Sequence, residues 1–186
     1  PLEAMLDHVA EMGLQAVELG TGGVPGSPHL KPEILLHDNA ALEAFSKAIS
    51  GRGLIISGLS CHGNPLHPVK EIAAEYDRVF RNTVLLASRL DIPVVNLFSG
   101  CPGESDTSKY PNWVTCPWPP DFSNLLKWQW DEKVIPYWTE AGAFASRHSV
   151  KLAFEMHPGF VVYNPDTLLK LRESVGPVIG ANYDPS

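Results

Sequence analysis

Short apolar runs and longer amphipathic segments alternate along the whole chain. The short runs are rich in Val, Ile, Leu and Phe and are bounded by glycine, proline or polar residues, as buried β-strands are. These predicted strands cover residues 16–20, 54–59, 93–98, 150–155 and 178–183. In the longer segments, apolar residues recur every three or four positions, which predicts helices that bury one face.

Five helices are predicted from this spacing, at residues 2–12, 39–50, 72–90, 125–148 and 165–175. Asn164 and Pro165 supply an N-cap and a first-turn proline for the last of them. Pro136 should kink the fourth helix or mark its true start, because proline inside a helix costs about 3 kcal/mol. Residues 20–37 and 99–123 are expected to be loops, and the second is long enough to be functional or to act as a lid.

Strict alternation of helices and strands indicates crossover units and a parallel sheet. The sequence contains neither GxGxxG after a strand nor GxxxxGK[ST], so the nucleotide-binding versions of such a sheet lose support. The alternative is a (β/α)8 TIM barrel, an α/β fold of about 250 residues. Because the order begins on a helix and stops just after a strand, we expect residues 1–186 to be one barrel domain that is incomplete at both ends.

Composition narrows the class of protein. Hydrophobic residues make up 44% and charged residues 19%, which indicates a globular domain. The net charge of −7 without a basic run argues against nucleic acid as a partner. No apolar run is long enough for a membrane helix, and the acidic first segment does not resemble a signal peptide. Three cysteines without a CxxC pair favour a reducing, cytoplasmic location.

Polar side chains collect at the carboxyl ends of the predicted strands, where parallel barrels place their active sites. They are Glu18, Cys61, His62, Ser99 with the adjacent Gly100, Glu155, His157 and Asp184. Glu155 follows an apolar strand, where a carboxylate needs a cation or hydrogen-bond donors. Two carboxylates at neighbouring strand ends repel unless a metal lies between them, so Glu155 and Asp184 are candidate metal ligands. The alternative is that each caps a turn.

Other side chains in these loops have weaker claims. His62 lies in a Gly/Asn/Pro turn that would hold its imidazole over the barrel mouth, whereas His67 is further from the strand. Trp113, with Trp118 in the same long loop, either contacts a sugar ring or anchors the loop. Cys61 and Cys101 are weak candidates for nucleophiles, because the sequence shows no helix start or activating base for either thiol.

Four segments resemble the sugar phosphate isomerase/epimerase family of xylose-isomerase-like barrels. They are residues 60–68 (SCHGNPLHP), 98–103 (FSGCPG), 154–158 (FEMHP) and 182–186 (NYDPS). Each is weak alone, but together they occur in the family's order and at the matching strand ends. The wider group includes AP-endonuclease-type and inosose-processing relatives.

The resemblance implies a metal-dependent isomerase or epimerase. Glu155 matches the first metal ligand and Asp184 the second, and the remaining His and Glu ligands belong to later strands. Glu155 would also be a catalytic acid/base, while the metal stabilises an enediolate. Such ligands suit Mn²⁺, Mg²⁺ or Co²⁺, with Zn²⁺ a further candidate. His62, His157, Glu18 and Trp113 are the expected substrate contacts.

Three other functions stay open at this point. An inosose-type dehydratase would use the same site and expel hydroxide after proton removal. An AP-endonuclease-type phosphodiesterase requires several metals and a basic surface, which this acidic chain does not offer. A non-enzymatic sugar- or metal-binding module would keep Glu155 but would need no catalytic base beside it. The expected partner is a small sugar or sugar phosphate, with neither nucleic acid nor membrane, and the full-length protein could form a homo-oligomer.

Overall fold

The computed structural model describes residues 1–116 and 118–185, and its centre is a five-stranded parallel sheet. The strands are β1 (Ala16–Gly20), β2 (Ile55–Ser60), β3 (Val94–Leu97), β4 (Lys151–Glu155) and β5 (Ile179–Asn182). Their order across the sheet is their order along the chain, and every neighbouring pair is parallel. This order without reversal is that of a barrel, because doubly wound sheets reverse at a switch point.

Seven α-helices and one π-helical segment join the strands within the described residues. They are α1 (Leu2–Glu11), α2 (Pro32–His37), α3 (Asn39–Ser50), α4 (Lys70–Arg89), α5 (Pro120–Trp128), the π-helical segment (Gln129–Val134), α6 (Ile135–Arg147) and α7 (Pro165–Val175). All five predicted strands are confirmed to within a residue or two. The prediction of only five helices is wrong, and the two differences have separate causes.

The first difference is α2, which lies inside a segment predicted to be a loop. Pro32 occupies the first turn of this helix, where its missing N–H costs nothing. Pro32 and Leu35 are both buried, and α2 packs against α4 and α3. This six-residue helix is too short to show periodicity, so its formation depends on tertiary packing.

The second difference is the segment predicted as one helix from 125 to 148. It begins earlier, at Pro120, and passes through the π-helical segment before α6. Pro136 lies in the first turn of α6, so the expectation that it marks a helix start is confirmed. The apolar face predicted for this helix is also confirmed, because Val134, Trp138 and Ala141 are completely buried.

The helices cover one face of the sheet, and the candidate site lies on the other. In β4, Leu152 and Phe154 are buried toward the helices, and the Trp138 ring of α6 meets the Phe154 ring edge-on at 4.7 Å. Because side chains alternate along a strand, Ala153 and Glu155 project from the opposite face. None of the helices formed by the described residues is both long and apolar enough to span a membrane.

Candidate functional site

Glu155 and His62 meet at the carboxyl ends of β4 and β2. The distance from His62 Nε2 to Glu155 Oε2 is 3.1 Å, and their side chains are only 13% and 16% exposed, respectively. The amide of Asn182, which is paired with Glu155 across the β4–β5 ladder, donates to the same Oε2 at 3.3 Å. Strands on both sides of Glu155 therefore contribute contacts to this carboxylate.

His62 Nε2 is buried and unsatisfied. Although Glu155 is near, no hydrogen bond of good geometry to Nε2 forms among the described residues. An unsatisfied buried polar atom is unusual and often indicates a catalytic or binding role. The 3.1 Å separation leaves no room for another group between the imidazole and the carboxylate, so His62 Nε2 can bond a substrate oxygen only after one of these side chains moves aside.

Aromatic rings form the floor of this site. Phe98, directly after β3, lies 4.4 Å from the His62 ring, 4.9 Å from the His157 ring and 4.3 Å from the Phe160 ring, measured between centroids. Phe98 is 9% exposed, so these rings enclose it almost completely. The Phe98 ring therefore gives the His62 imidazole an apolar packing surface on the side of the site away from solvent.

Glu18 belongs to a neighbouring part of the same face. Asn96 Nδ2 donates to Glu18 Oε2 at 2.6 Å, although β1 and β3 are separated by β2. The bond crosses above Gly58, where a Cβ would lie only 3.3 Å from Asn96 Nδ2. The missing side chain at Gly58 therefore leaves room for the contact, which holds Glu18 by one defined partner.

The remaining predicted residues are spread around the mouth of the sheet. His157 packs on Phe98, and its Nδ1 lies 2.7 Å from the Pro158 carbonyl oxygen. Trp113 is 39% exposed and meets the Tyr163 ring edge-on at 5.3 Å, which ties the long loop after β3 to the loop after β4. Asp184 is exposed and follows Asn182 by two residues, at the edge that carries Glu155. A shared metal site for Glu155 and Asp184 stays a prediction.

Three weaker candidates from the sequence, His67, Cys61 and Cys101, have surroundings that indicate a structural role. His67 Nδ1 accepts a hydrogen bond from the Val69 N–H at 3.0 Å, which places this ring at the start of α4. Burial raises the pKa of both Cys61 and Cys101 to about 12. A thiol with so high a pKa has little thiolate at neutral pH, which argues against a nucleophilic role.

The donor atoms fit one half of a site for a hard divalent cation. Carboxylate oxygens such as those of Glu155 and Asp184 are the ligands that Mg²⁺ and Mn²⁺ prefer. In residues 1–116 and 118–185, however, no three His, Cys, Asp or Glu side chains form a group that could hold a metal ion. Further ligands would have to come from outside the described part of the chain.

Sequence reasoning missed Asn96, Asn182 and the floor role of Phe98. The two asparagines lie inside otherwise apolar strands, where an amide needs a hydrogen-bond partner. A polar amide inside an apolar strand is the signal that could have identified them. Asn182 lies on the strand next to that of Glu155, and Asn96 lies two strands away from Glu18.

The comparison with family models identifies the family. The model described as xylose isomerase-like TIM barrel matches residues 6–186, and the chain belongs to this family. A curated relative, the uncharacterized protein YfiH of Bacillus subtilis (strain 168), is 38% identical over 189 residues. That match includes 100% of this chain and 60% of YfiH, so the chain spans less than two thirds of the relative's length.

The chain also matches solved structures of similar fold, and each match covers slightly more than half of the solved chain. One is a xylose isomerase-like TIM barrel protein from Mycobacterium smegmatis in complex with magnesium, with a TM-score of 0.64 and 17% sequence identity. The match covers 98% of this chain and 55% of the Mycobacterium smegmatis chain. D-psicose 3-epimerase in the presence of D-fructose has a TM-score of 0.59 and 13% identity over 97% and 56%. The probable 3-DHS dehydratase AsbF of Bacillus anthracis has a TM-score of 0.57 and 13% identity over 94% and 54%. At these identities the similarity establishes a partial TIM barrel.

Proposed function

We propose that the full-length protein is a sugar or sugar phosphate isomerase or epimerase that removes a proton next to a carbonyl and proceeds through an enediolate. The observation that carries the proposal is the half-buried Glu155 carboxylate, 3.1 Å from the unsatisfied Nε2 of His62. The two groups lie at strand ends of a xylose isomerase-like barrel, where this fold places its chemistry.

Each residue has a distinct part in the proposed reaction. Glu155 accepts the proton from the substrate carbon, as a general base must. Its described contacts both use Oε2, so Oε1 is the oxygen assigned to the proton. Asn182 orients the carboxylate, and His62 Nε2 bonds a substrate oxygen. Phe98 and Phe160 exclude water from one side of the site, which strengthens these polar contacts.

A divalent cation, Mn²⁺, Mg²⁺ or Co²⁺, fits this proposal. Glu155 and Asp184 would supply two of its oxygen ligands, with the others provided by the rest of the full-length protein. When bound, the cation would supply Lewis-acid stabilisation of negative charge on the substrate oxygens. The magnesium complex of the Mycobacterium smegmatis structure supports a hard cation in this family.

The test is exchange of deuterium from solvent into the substrate carbon next to the carbonyl. Full-length protein saturated with Mn²⁺ is incubated in D₂O with D-fructose, D-psicose, D-tagatose and their phosphates, and incorporation is followed by NMR. We expect exchange with at least one of these ketoses. Glu155→Gln should lower it by about a hundredfold or more, because the amide cannot accept the proton.

The matched control is Glu173→Gln, which makes the same chemical change at an exposed position on α7. This variant should exchange at the wild-type rate. Exchange at the normal rate in Glu155→Gln would show that Glu155 is not the base, and absence of exchange with every ketose in the wild type would contradict the isomerase proposal.

A dehydratase is the second candidate, because AsbF shares the fold. Both reactions begin with proton removal beside a carbonyl, but a dehydratase then expels hydroxide. Mass spectrometry of the product separates them, since isomerisation conserves the substrate mass and dehydration lowers it by one water.

A further inference from the structure

Asn64 joins the loop that carries His62 to the loop that follows Phe98. Its Nδ2 donates to the Cys101 carbonyl oxygen at 2.9 Å, and its Oδ1 accepts from the Cys101 N–H at 2.9 Å. The same Oδ1 accepts a third hydrogen bond, from the Leu66 N–H at 3.1 Å. One carboxamide thus pairs with both polar groups of a residue on another strand's loop, as a neighbouring β-strand would.

Few other side chains could make this contact. Aspartate lacks the donor for the Cys101 carbonyl, leucine lacks both polar groups, and glutamine is longer by one methylene. Gly100 has a positive φ of +79°, and a Cβ there would approach Asn64 Oδ1 to 2.8 Å. The backbone on the receiving side therefore leaves room for this side chain and no more.

The main chain of His62 is held from the other side as well. Val24 N–H donates to the His62 carbonyl oxygen at 2.7 Å. A Cβ on Gly23 would lie 2.0 Å from that oxygen, and a Cβ on Gly63 would lie 2.2 Å from Tyr76 Cδ1. Close contacts at Gly23 and Gly63 therefore fix the start of the turn at His62, and the hydrogen bonds from Asn64 to Cys101 fix it two residues later.

These contacts act on the two elements that set the position of the His62 ring. Asn64 lies two residues after His62, and Cys101 lies three residues after Phe98, the ring on which His62 packs at 4.4 Å. A relative shift of the two loops would move the imidazole away from Phe98 and change its 3.1 Å separation from Glu155.

We infer that Asn64 is a positioning residue that holds the His62 imidazole against Glu155 and Phe98 through its paired hydrogen bonds to Cys101. The inference rests on the proposed function for its catalytic consequence only. Asn64 touches no reacting atom, so its effect on turnover passes through His62.

The first test measures position without any activity assay. Full-length protein with ¹³C-labelled histidine is compared with Asn64→Asp by NMR, and the His62 resonances are assigned with His62→Asn. The Phe98 ring should displace the wild-type His62 ring protons upfield, and Asn64→Asp should abolish most of that displacement. Asn124→Asp, the same change at an exposed position on α5, should leave it intact. Unchanged His62 resonances in Asn64→Asp would overturn the inference.

The second test measures coupling between Asn64 and His62 in the deuterium-exchange and turnover assays. Asn64→Asp should lower kcat about ten- to hundredfold, because small misplacements of a catalytic group have effects of that size. KM should change less than about threefold. In the His62→Asn background, the same substitution should lower kcat by less than about twofold. An equal loss in both backgrounds would indicate a general structural role and overturn the inference.

A failure of the inference is distinct from a failure of the proposed function. Wild-type protein without turnover, but with His62 resonances that respond to Asn64→Asp, would contradict the isomerase proposal and support the positioning role. If Asn64→Asp does not fold, Asn64→Ser removes both bonds to Cys101 without adding charge, and the same outcomes apply.

Discussion

The two carboxylates that sequence pairs as metal ligands have different surroundings. Glu155 lies at the end of β4 between two paired strands, is 16% exposed, and contacts side chains from β5 and from the loop after β2. Asp184 lies two residues beyond the end of β5 and is exposed. The loops after β2, β3 and β4 bond to one another, which fixes Glu155 and its neighbours, and β5 pairs with β4 in the described sheet.

At the sheet edge that carries Glu155, hydrogen bonds between the loops of neighbouring strands fix the geometry. Ser99 shows how this is done, since its Oγ accepts from the Val162 N–H at 2.9 Å and its carbonyl accepts from Trp138 Nε1 at 2.9 Å. Gly100 O accepts from Val161 N–H at 3.0 Å. Together with the Asn64–Cys101 bonds, these hydrogen bonds hold three consecutive loops, so the site residues that they carry are pre-positioned.

The largest expected effect comes from removing the Trp138 ring, which donates a hydrogen bond to the Ser99 carbonyl. Trp138→Ala in the full-length protein should lower the free energy of unfolding by about 3–5 kcal/mol, because it leaves a cavity and an unpaired Ser99 carbonyl. Urea denaturation provides the measurement. The exposed Trp118 is the matched control, and its replacement by alanine should change stability by less than about 0.5 kcal/mol. Equal losses for the two tryptophans would contradict this account.

A smaller effect is expected from the bond that joins the loops after β3 and β4. Ser99→Ala leaves the buried Val162 N–H without its acceptor and should cost about 1–3 kcal/mol. Hydrogen exchange of the Val162 amide should accelerate in this variant. Ser174→Ala, on the exposed face of α7, removes a hydroxyl that bonds only its own helix and should leave that exchange rate unchanged. A protected Val162 amide in Ser99→Ala would show that other contacts hold the loop.

The smallest effect is expected in the outer helix layer, far from the site. Arg78 contacts Glu33 and Glu75, and its hydrogen bond lowers the pKa of the Glu33 carboxyl. A lowered carboxyl pKa stabilises the fold above the ordinary Glu value of 4.5, and this stabilisation is lost as the pH falls below 4.5 and through the lowered pKa. The difference in melting temperature between wild type and Arg78→Gln should therefore be largest near pH 7 and shrink toward pH 3.

Lys109→Gln removes the same charge from an exposed loop position and is the control for net charge. Its melting temperature should differ from wild type without this pH dependence. A constant difference for Arg78→Gln across the pH range would contradict the assigned ion pairs.

The order of the strands, their parallel direction and the sheet edge that carries the polar residues all follow from the amino-acid sequence. These features depend on local periodicity and on where apolar runs end, both of which a chain records in its own neighbourhood. The start of α7 is an example, because the side chains of Asn164 and Thr167 each accept a hydrogen bond from the other residue's backbone N–H. Glu18, His62, Glu155 and His157 were all predicted at this edge from their positions after apolar runs.

Which of these residues meet depends on the folded structure. His62 reaches Glu155 across the end of β3, and Asn96 reaches Glu18 across Gly58 of β2, so both contacts join strands that are not neighbours. Such contacts depend on strand register, on the missing side chain at Gly58 and on the Phe98 ring that packs against His62. None of these features has a local sequence signature. The π-helical segment is similar, because buried Gln129 bonds the carbonyls of Gly103 and Asn112 in the long loop. Long-range packing sets these geometries, since the free energy that fixes them comes from residues far apart in the chain.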